Sequence, residues 1–170
     1  MNKISILGVT ASGKTTLANK IGKTLGIPVT HLDKIFWKEK GGIKQDVFIA
    51  ELEEVMKAGR WIIDGGMPRS KTLQMRLENA DTIILYDLPL LLVLWRQTKR
   101  FFKYYGKVRP DMADGNHNKQ KYPFTWKEIQ YARHFPIKEL YEKILPLKET
   151  KRIVIIKSPK DEKTFLKTLK

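Results

Sequence analysis

Gly8-Val9-Thr10-Ala11-Ser12-Gly13-Lys14-Thr15 spaces two glycines, a lysine and a hydroxyl as a phosphate-binding loop requires. Gly8 and Gly13 open backbone conformations that a side chain would close, so successive N–H groups can turn inward as an anion nest. A helix that starts at the loop adds the partial positive charge of its N-terminus. Lys14 is then expected on the β- and γ-phosphates of a nucleotide, and the Thr15 hydroxyl on Mg²⁺. Ala11, Ser12 and Thr16 complete the expected ATP-binding set, with packing or capping as the alternative for Thr16.

Three aspartates and a few arginines are the other chemistry-bearing residues. Asp33, Asp64 and Asp87 each close an apolar run that reads as a strand. In open α/β sheets the ligand lies beyond such strand ends. Asp64, followed by Gly65-Gly66, is the expected holder of the metal's water shell. Asp33 is either an acceptor-site residue or a cap, and Asp87, before Leu88-Pro89, reads as structural. Arg69 follows the Asp64 turn, Arg96 and Arg100 are one helical turn apart, and Arg109 and Arg133 flank a polar stretch. Phosphoryl transfer depends on charge stabilisation, and guanidinium groups give the fixed bidentate contacts it needs.

The elements that must position these residues alternate. Strands are expected at Lys3 to Leu7, Val29 to Leu32, Trp61 to Ile63, Thr82 to Tyr86 and Arg152 to Ile156. Helical periodicity links Leu17, Ile21 and Leu25 before a stop at Gly26, and Val47, Phe48, Leu52, Val55 and Met56 before Gly59. Further helices run through Leu73 and Leu77 with Ser70 as a cap, from Pro89 past Arg100, from a Thr125/Glu128 capping box, and from Ile137 to Leu145. A last short helix has Asp161 as its cap. This alternation predicts one α/β domain over residues 1–170 with a mainly parallel sheet. Residues 102–122 lack periodicity and are expected to form a lid.

Composition narrows the classes. The chain has 170 residues, 42% of them hydrophobic, and no cysteine. It is therefore long enough for one buried core and has neither disulfides nor thiolate chemistry. Leu88 to Trp95 is too short to span a bilayer, and no signal peptide precedes the first strand, so a cytoplasmic protein is expected. The net charge of +15 raises the question of nucleic acid. The excess is mostly scattered lysine, without a basic run or a nucleic-acid-binding signature, so nucleic acid is not the favoured partner. The guanine-reading Asn-Lys-x-Asp signature of GTPases is absent. The strand-end aspartates precede Lys34, Gly65 and Leu88, whereas motor-type ATPases place a glutamate there. A kinase acting on a small molecule fits better.

Asp64-Gly65-Gly66-Met67-Pro68-Arg69 resembles the Asp-Gly-Phe-Pro-Arg turn of adenylate kinases with one residue inserted. His31-Leu32-Asp33-Lys34-Ile35-Phe36-Trp37, Trp61-Ile62-Ile63-Asp64-Gly65, Leu94-Trp95-Arg96 and Arg109-Pro110-Asp111-Met112-Ala113-Asp114-Gly115 are similar to segments of the adenylate-kinase-related DNA topology modulation proteins. That resemblance implies a P-loop NTPase fold of the nucleoside-monophosphate-kinase kind, with a five-stranded parallel sheet, an acceptor-binding region over residues 34–58 and an arginine-bearing lid. It implies Mg²⁺-ATP as donor and a nucleotide or other small molecule as acceptor. Arg69 would meet the acceptor's phosphate, with Asp33, Arg109 and Arg133 nearby. Arg96 and Arg100 would stabilise the transferred group, and Ser158, Pro159 and Lys160 would lie against adenine. The alternative it leaves open is an ATP-binding regulator that acts on DNA through a basic surface.

Overall fold

Trp61–Asp64 and Thr82–Tyr86 bury every residue, and Lys3–Gly8 buries all but its first. Such continuous apolar runs suit strands that are covered on both faces, the situation inside a parallel sheet. In a computed structural model, which describes residues 1–38, 42–104 and 125–169, these three form the sheet interior. With β1 Lys3–Gly8, β2 Val29–His31, β3 Trp61–Asp64, β4 Thr82–Tyr86 and β5 Arg152–Ile156, the order is β2-β3-β1-β4-β5. Every pairing is parallel, and the half-buried β2 and β5 are the edges.

The helices that flank the sheet are α1 Lys14–Leu25, α2 Leu32–Phe36, α3 Gln45–Lys57, α4 Lys71–Asn79, α5 Leu90–Tyr104, α6 Trp126–Arg133, α7 Ile137–Ile144 and α8 Pro159–Lys167. A 3₁₀ turn, Leu145–Glu149, joins α7 to β5. Gly26 closes α1 in a left-handed conformation, as its sequence position predicts. Thr125 and Glu128 make both halves of the capping box on α6.

The second strand is shorter than the sequence suggested. It stops at His31, and Leu32 begins α2, whose Leu32 and Ile35 are buried. Asp33 therefore stands in the first turn of a helix, not at a strand end. At the C-terminal helix the cap is Ser158, whose hydroxyl accepts from the Asp161 amide. Asp161 sits three residues in and accepts from the Lys157 amide. Ser70 occupies the N-cap position of α4 without capping it, because its hydroxyl donates to the Met67 carbonyl. Phe102 to Tyr104 belong to α5, and the rest of the expected lid, residues 105–122 with Arg109 among them, lies outside the described residues. No helix among the described residues is long and apolar enough to cross a membrane.

Helix α1 meets β2 through a glycine. A Cβ on Gly22 would stand 2.5 Å from Val29 Cγ2 and 2.9 Å from the Ile27 carbonyl oxygen. Helix propensity favours alanine over glycine by about 1 kcal/mol. The overpacking cost of about 1–3 kcal/mol exceeds that gain. Gly22→Ala is expected to lower the urea midpoint; an unchanged or raised midpoint would show that the α1–β2 contact is looser than described.

Candidate functional site

Nothing caps the N-terminus of α1. Gly13 offers no side-chain cap and the first turn holds no acidic residue, so the opening amides of the helix face whatever enters the cleft. The loop before it has the strained backbone such a cradle needs. Gly8 and Gly13 have φ of 142° and 103°, and Ala11 is left-handed at 62°. Side chains are excluded as well: a Cβ on Gly8 would lie 2.7 Å from Tyr86 Cβ, and one on Gly13 would lie 2.8 Å from Arg96 Nη1. The Ser12 hydroxyl is buried with no hydrogen-bond partner. Orphan donors, an open helix terminus and space denied to side chains together fit a phosphate chain.

Lys14 folds back over this loop, its Nζ donating to the Val9 carbonyl at 2.8 Å. Burial lowers its pKa, while Asp64 and Asp33 pull it back up and Arg100 adds to the lowering. Asp64 is the centre of the polar cluster. Its Oδ2 accepts from Thr15 Oγ1 at 2.7 Å and lies 2.9 Å from His31 Nδ1, while its Oδ1 is buried without a partner. A hydroxyl and a carboxylate are hard oxygen donors of the kind Mg²⁺ accepts. Among the described residues no group of three or more His, Cys, Asp or Glu could hold a metal ion. Mg²⁺ typically keeps several waters and takes one or two protein ligands beside substrate phosphates.

These residues line a cleft of about 970 Å³. Its lining includes Lys14, Thr15 and Thr16 of α1, Arg96 and Arg100 of α5, His31 of β2, Asp33 and Lys34 of α2, and Trp37. Arg96 donates to the Ser12 carbonyl and approaches Glu162 Oε2 at 3.9 Å. Glu162 also reaches Lys20 at 3.4 Å. Ser158 caps α8 and Pro159 begins it; neither lines the cleft, which the helix enters through Glu162.

Other expected residues lie elsewhere. Arg69 is exposed and paired with Glu139 at 2.8 Å, outside the cleft lining, and Arg133 is exposed and also outside it. Asp87 accepts from the Tyr141 hydroxyl at 2.8 Å, which matches its structural reading. Sequence reasoning gave no role to His31, Trp37, Glu162 or Arg76. His31 was visible only as part of a longer motif. Glu162 carries no local signal, because its partners are far away in the chain.

No family model and no curated protein matches the chain. Solved structures do. Shikimate kinase from Acinetobacter baumannii, in complex with shikimate, aligns with a TM-score of 0.58 at 14% identity, covering 99% of this chain and 90% of that one. A gluconokinase from Sinorhizobium meliloti 1021 gives 0.56 at 14%, covering 99% and 93%. Shikimate kinase from Bacteroides thetaiotaomicron gives 0.55 at 16%, covering 98% and 94%. At such identities the likeness establishes the fold: a P-loop kinase fold with a five-stranded parallel sheet.

The Asp87–Tyr141 bond ties α7 to the end of β4. Burial, then the Asp87 hydrogen bond, raise the Tyr141 phenol to about 12, and burial with the Glu162 carboxylate raises Tyr86 as well. Both phenols stay neutral in the fold at pH values where the unfolded chain ionises them. Stability is therefore complete below the unfolded pKa of 10 and falls as pH climbs past it. Tyr141→Phe is expected to cost about 1 kcal/mol near neutrality. It should also soften the alkaline loss in a pH series of urea melts and leave nucleotide affinity unchanged. A weaker affinity for nucleotide would contradict the structural role of Asp87.

Proposed function

We propose that the protein transfers the γ-phosphoryl group of Mg²⁺-ATP to a small-molecule acceptor, either a nucleotide or another phosphate-accepting metabolite. The observation that carries this reading is the 2.7 Å Thr15–Asp64 hydrogen bond at the foot of an uncapped helix, with Lys14 and two arginines around it. The resemblance to adenylate-kinase-related DNA topology modulation proteins points the same way, as does the fold shared with shikimate kinase and gluconokinase structures. A cytoplasmic setting belongs to the same proposal.

Bound Mg²⁺ would neutralise charge on the donor's phosphates, and Thr15 and Asp64 are the residues that would hold it and its waters. The loop amides from Gly8 to Thr16 orient the phosphate chain. Lys14 exchanges its bond to the Val9 carbonyl for phosphate oxygens, with its ammonium sustained by Asp64 and Asp33. Arg96 and Arg100 supply guanidinium charge to the group in transfer, and Ser158 and Pro159 border the base. Asp33, which lines the same cleft, accepts a hydrogen bond from the acceptor. Arg69 and Arg133, together with Arg109, belong to the acceptor's approach. Arg69 can serve there because an exposed ion pair such as that with Glu139 is weak and exchangeable.

Lys14→Ala is expected to keep the fold and lose at least about a hundredfold in turnover, the scale for removing one preorganised donor. Its ATP affinity, read by calorimetry, should fall as well; wild-type affinity would remove the loop from the site. Arg69→Ala should raise the acceptor KM while ATP affinity holds. The acceptor itself is found by reading ATP consumption against nucleosides, nucleoside monophosphates, sugar acids and other hydroxyl compounds. No turnover with any of them, together with tight salt-sensitive duplex binding, would replace the kinase reading with that of a DNA-acting regulator.

A further inference from the structure

Helix α4 carries a charge where its apolar face should be. Arg76 lies between Leu73 and Leu77, both buried, and is itself 0% exposed. A buried guanidinium is costly unless its donors are used. Nη1 donates to the Gly65 carbonyl at 2.8 Å and Nε to the Thr72 carbonyl at 3.2 Å, while Nη2 is buried without a partner. Burial draws the guanidinium down to about 10, and Asp64 is the charge that opposes this.

Gly65 is the residue after Asp64, and its surroundings leave it little freedom. A Cβ there would meet Leu32 Cβ at 2.7 Å, and one on Gly66 would meet the Gly8 carbonyl oxygen at 2.9 Å. The turn is thus pressed against α2 and against the start of the phosphate loop, with Arg76 holding its carbonyl. Asp64 Oδ1 and Arg76 Nη2 are both buried and unpartnered, and Arg76 holds through Nη1 the carbonyl of Gly65, the residue that follows Asp64 in the chain.

We infer that Arg76 is a positioning residue: it clamps the Gly65 carbonyl and serves as the buried counter-charge that keeps the Asp64 carboxylate aimed at Thr15. It touches no ligand and acts through Asp64. The inference rests on the functional reading above for its metal arm, and on geometry alone for its backbone arm.

Two variants and two readouts test it. Arg76→Lys keeps the charge and loses the fork; Arg76→Met keeps the stem and loses both. ATP binding is titrated against free Mg²⁺, and amide exchange at Gly65 and Gly66 is followed without nucleotide. In Arg76→Lys the fold and ATP binding in EDTA should persist. The Mg²⁺ needed for half-maximal binding should rise about tenfold, as when partners of metal ligands are removed. The two amides should exchange faster, and Arg76→Met should exceed Arg76→Lys in both. A lower melting temperature with unchanged Mg²⁺ dependence and amide exchange in Arg76→Lys would make Arg76 scaffold alone and overturn the inference. If Arg76→Met does not fold, Arg76→Lys decides. If the wild type shows no Mg²⁺-dependent ATP binding, the kinase reading falls, and the amide exchange alone decides the clamp.

Discussion

Thr15 lies in the first turn of the helix after β1 and Asp64 ends β3, so their 2.7 Å hydrogen bond depends on how two strands pair. The register sets Ile6 opposite Asp64, and β1 continues two residues further to Gly8. Those two residues carry the chain past the aspartate before it turns back through the loop, which returns Thr15 to the level of the carboxylate. A shift of one residue would turn Asp64 to the other face of the sheet. Burial of every residue of the two strands but Lys3 prevents such a shift, since the buried side chains are fitted to neighbours on both faces. The chemistry of the cleft is thereby fixed by the packing of Ile4, Ile6, Ile62 and Ile63, all of them fully buried.

The strands, most helices and the phosphate loop were legible because their signals are local. Apolar runs, a glycine stop, a capping box and the loop spacing can be read within a few residues of where they act. The misplaced details have the opposite character. Whether Leu32 ends a strand or begins a helix depends on burial against Gly65, a contact across the chain. The cap of α8 was mistaken because Ser158 and Asp161 both belong to good capping types, and only the geometry of the turn separates donor from acceptor roles.

Arginine shows the same limit more sharply. Arg69, Arg76 and Arg96 are one residue type in three settings: an exposed surface pair, a sealed core position and a lid over the loop's carbonyl. Spacing nominated Arg69 and Arg96. It passed over Arg76, although a charge at i+3 from Leu73 on an apolar face was a visible anomaly. Side chains of the same type differ in setting here through burial and partners, which a sequence records only through the neighbours it brings together in the fold.

This division also bears on how a +15 chain can hold a selective site. Most of its charge is solvated lysine, which screens within about 10 Å at ordinary salt and discriminates little. The charges that can discriminate are those whose contacts must be exchanged. On the proposed reading Lys14 would leave the Val9 carbonyl, and Arg96 would leave the Ser12 carbonyl and the vicinity of Glu162, the contacts both now hold. Each exchange replaces one satisfied bond with another, so a phosphate chain gains net affinity only where it satisfies several of these donors together. A single surface phosphate, such as one on a nucleic-acid backbone, can meet only part of that set. On the proposed reading selectivity would come from the shared demand of Lys14, Arg96 and the loop's orphan donors, and the bulk charge would govern only how fast anions of any kind arrive.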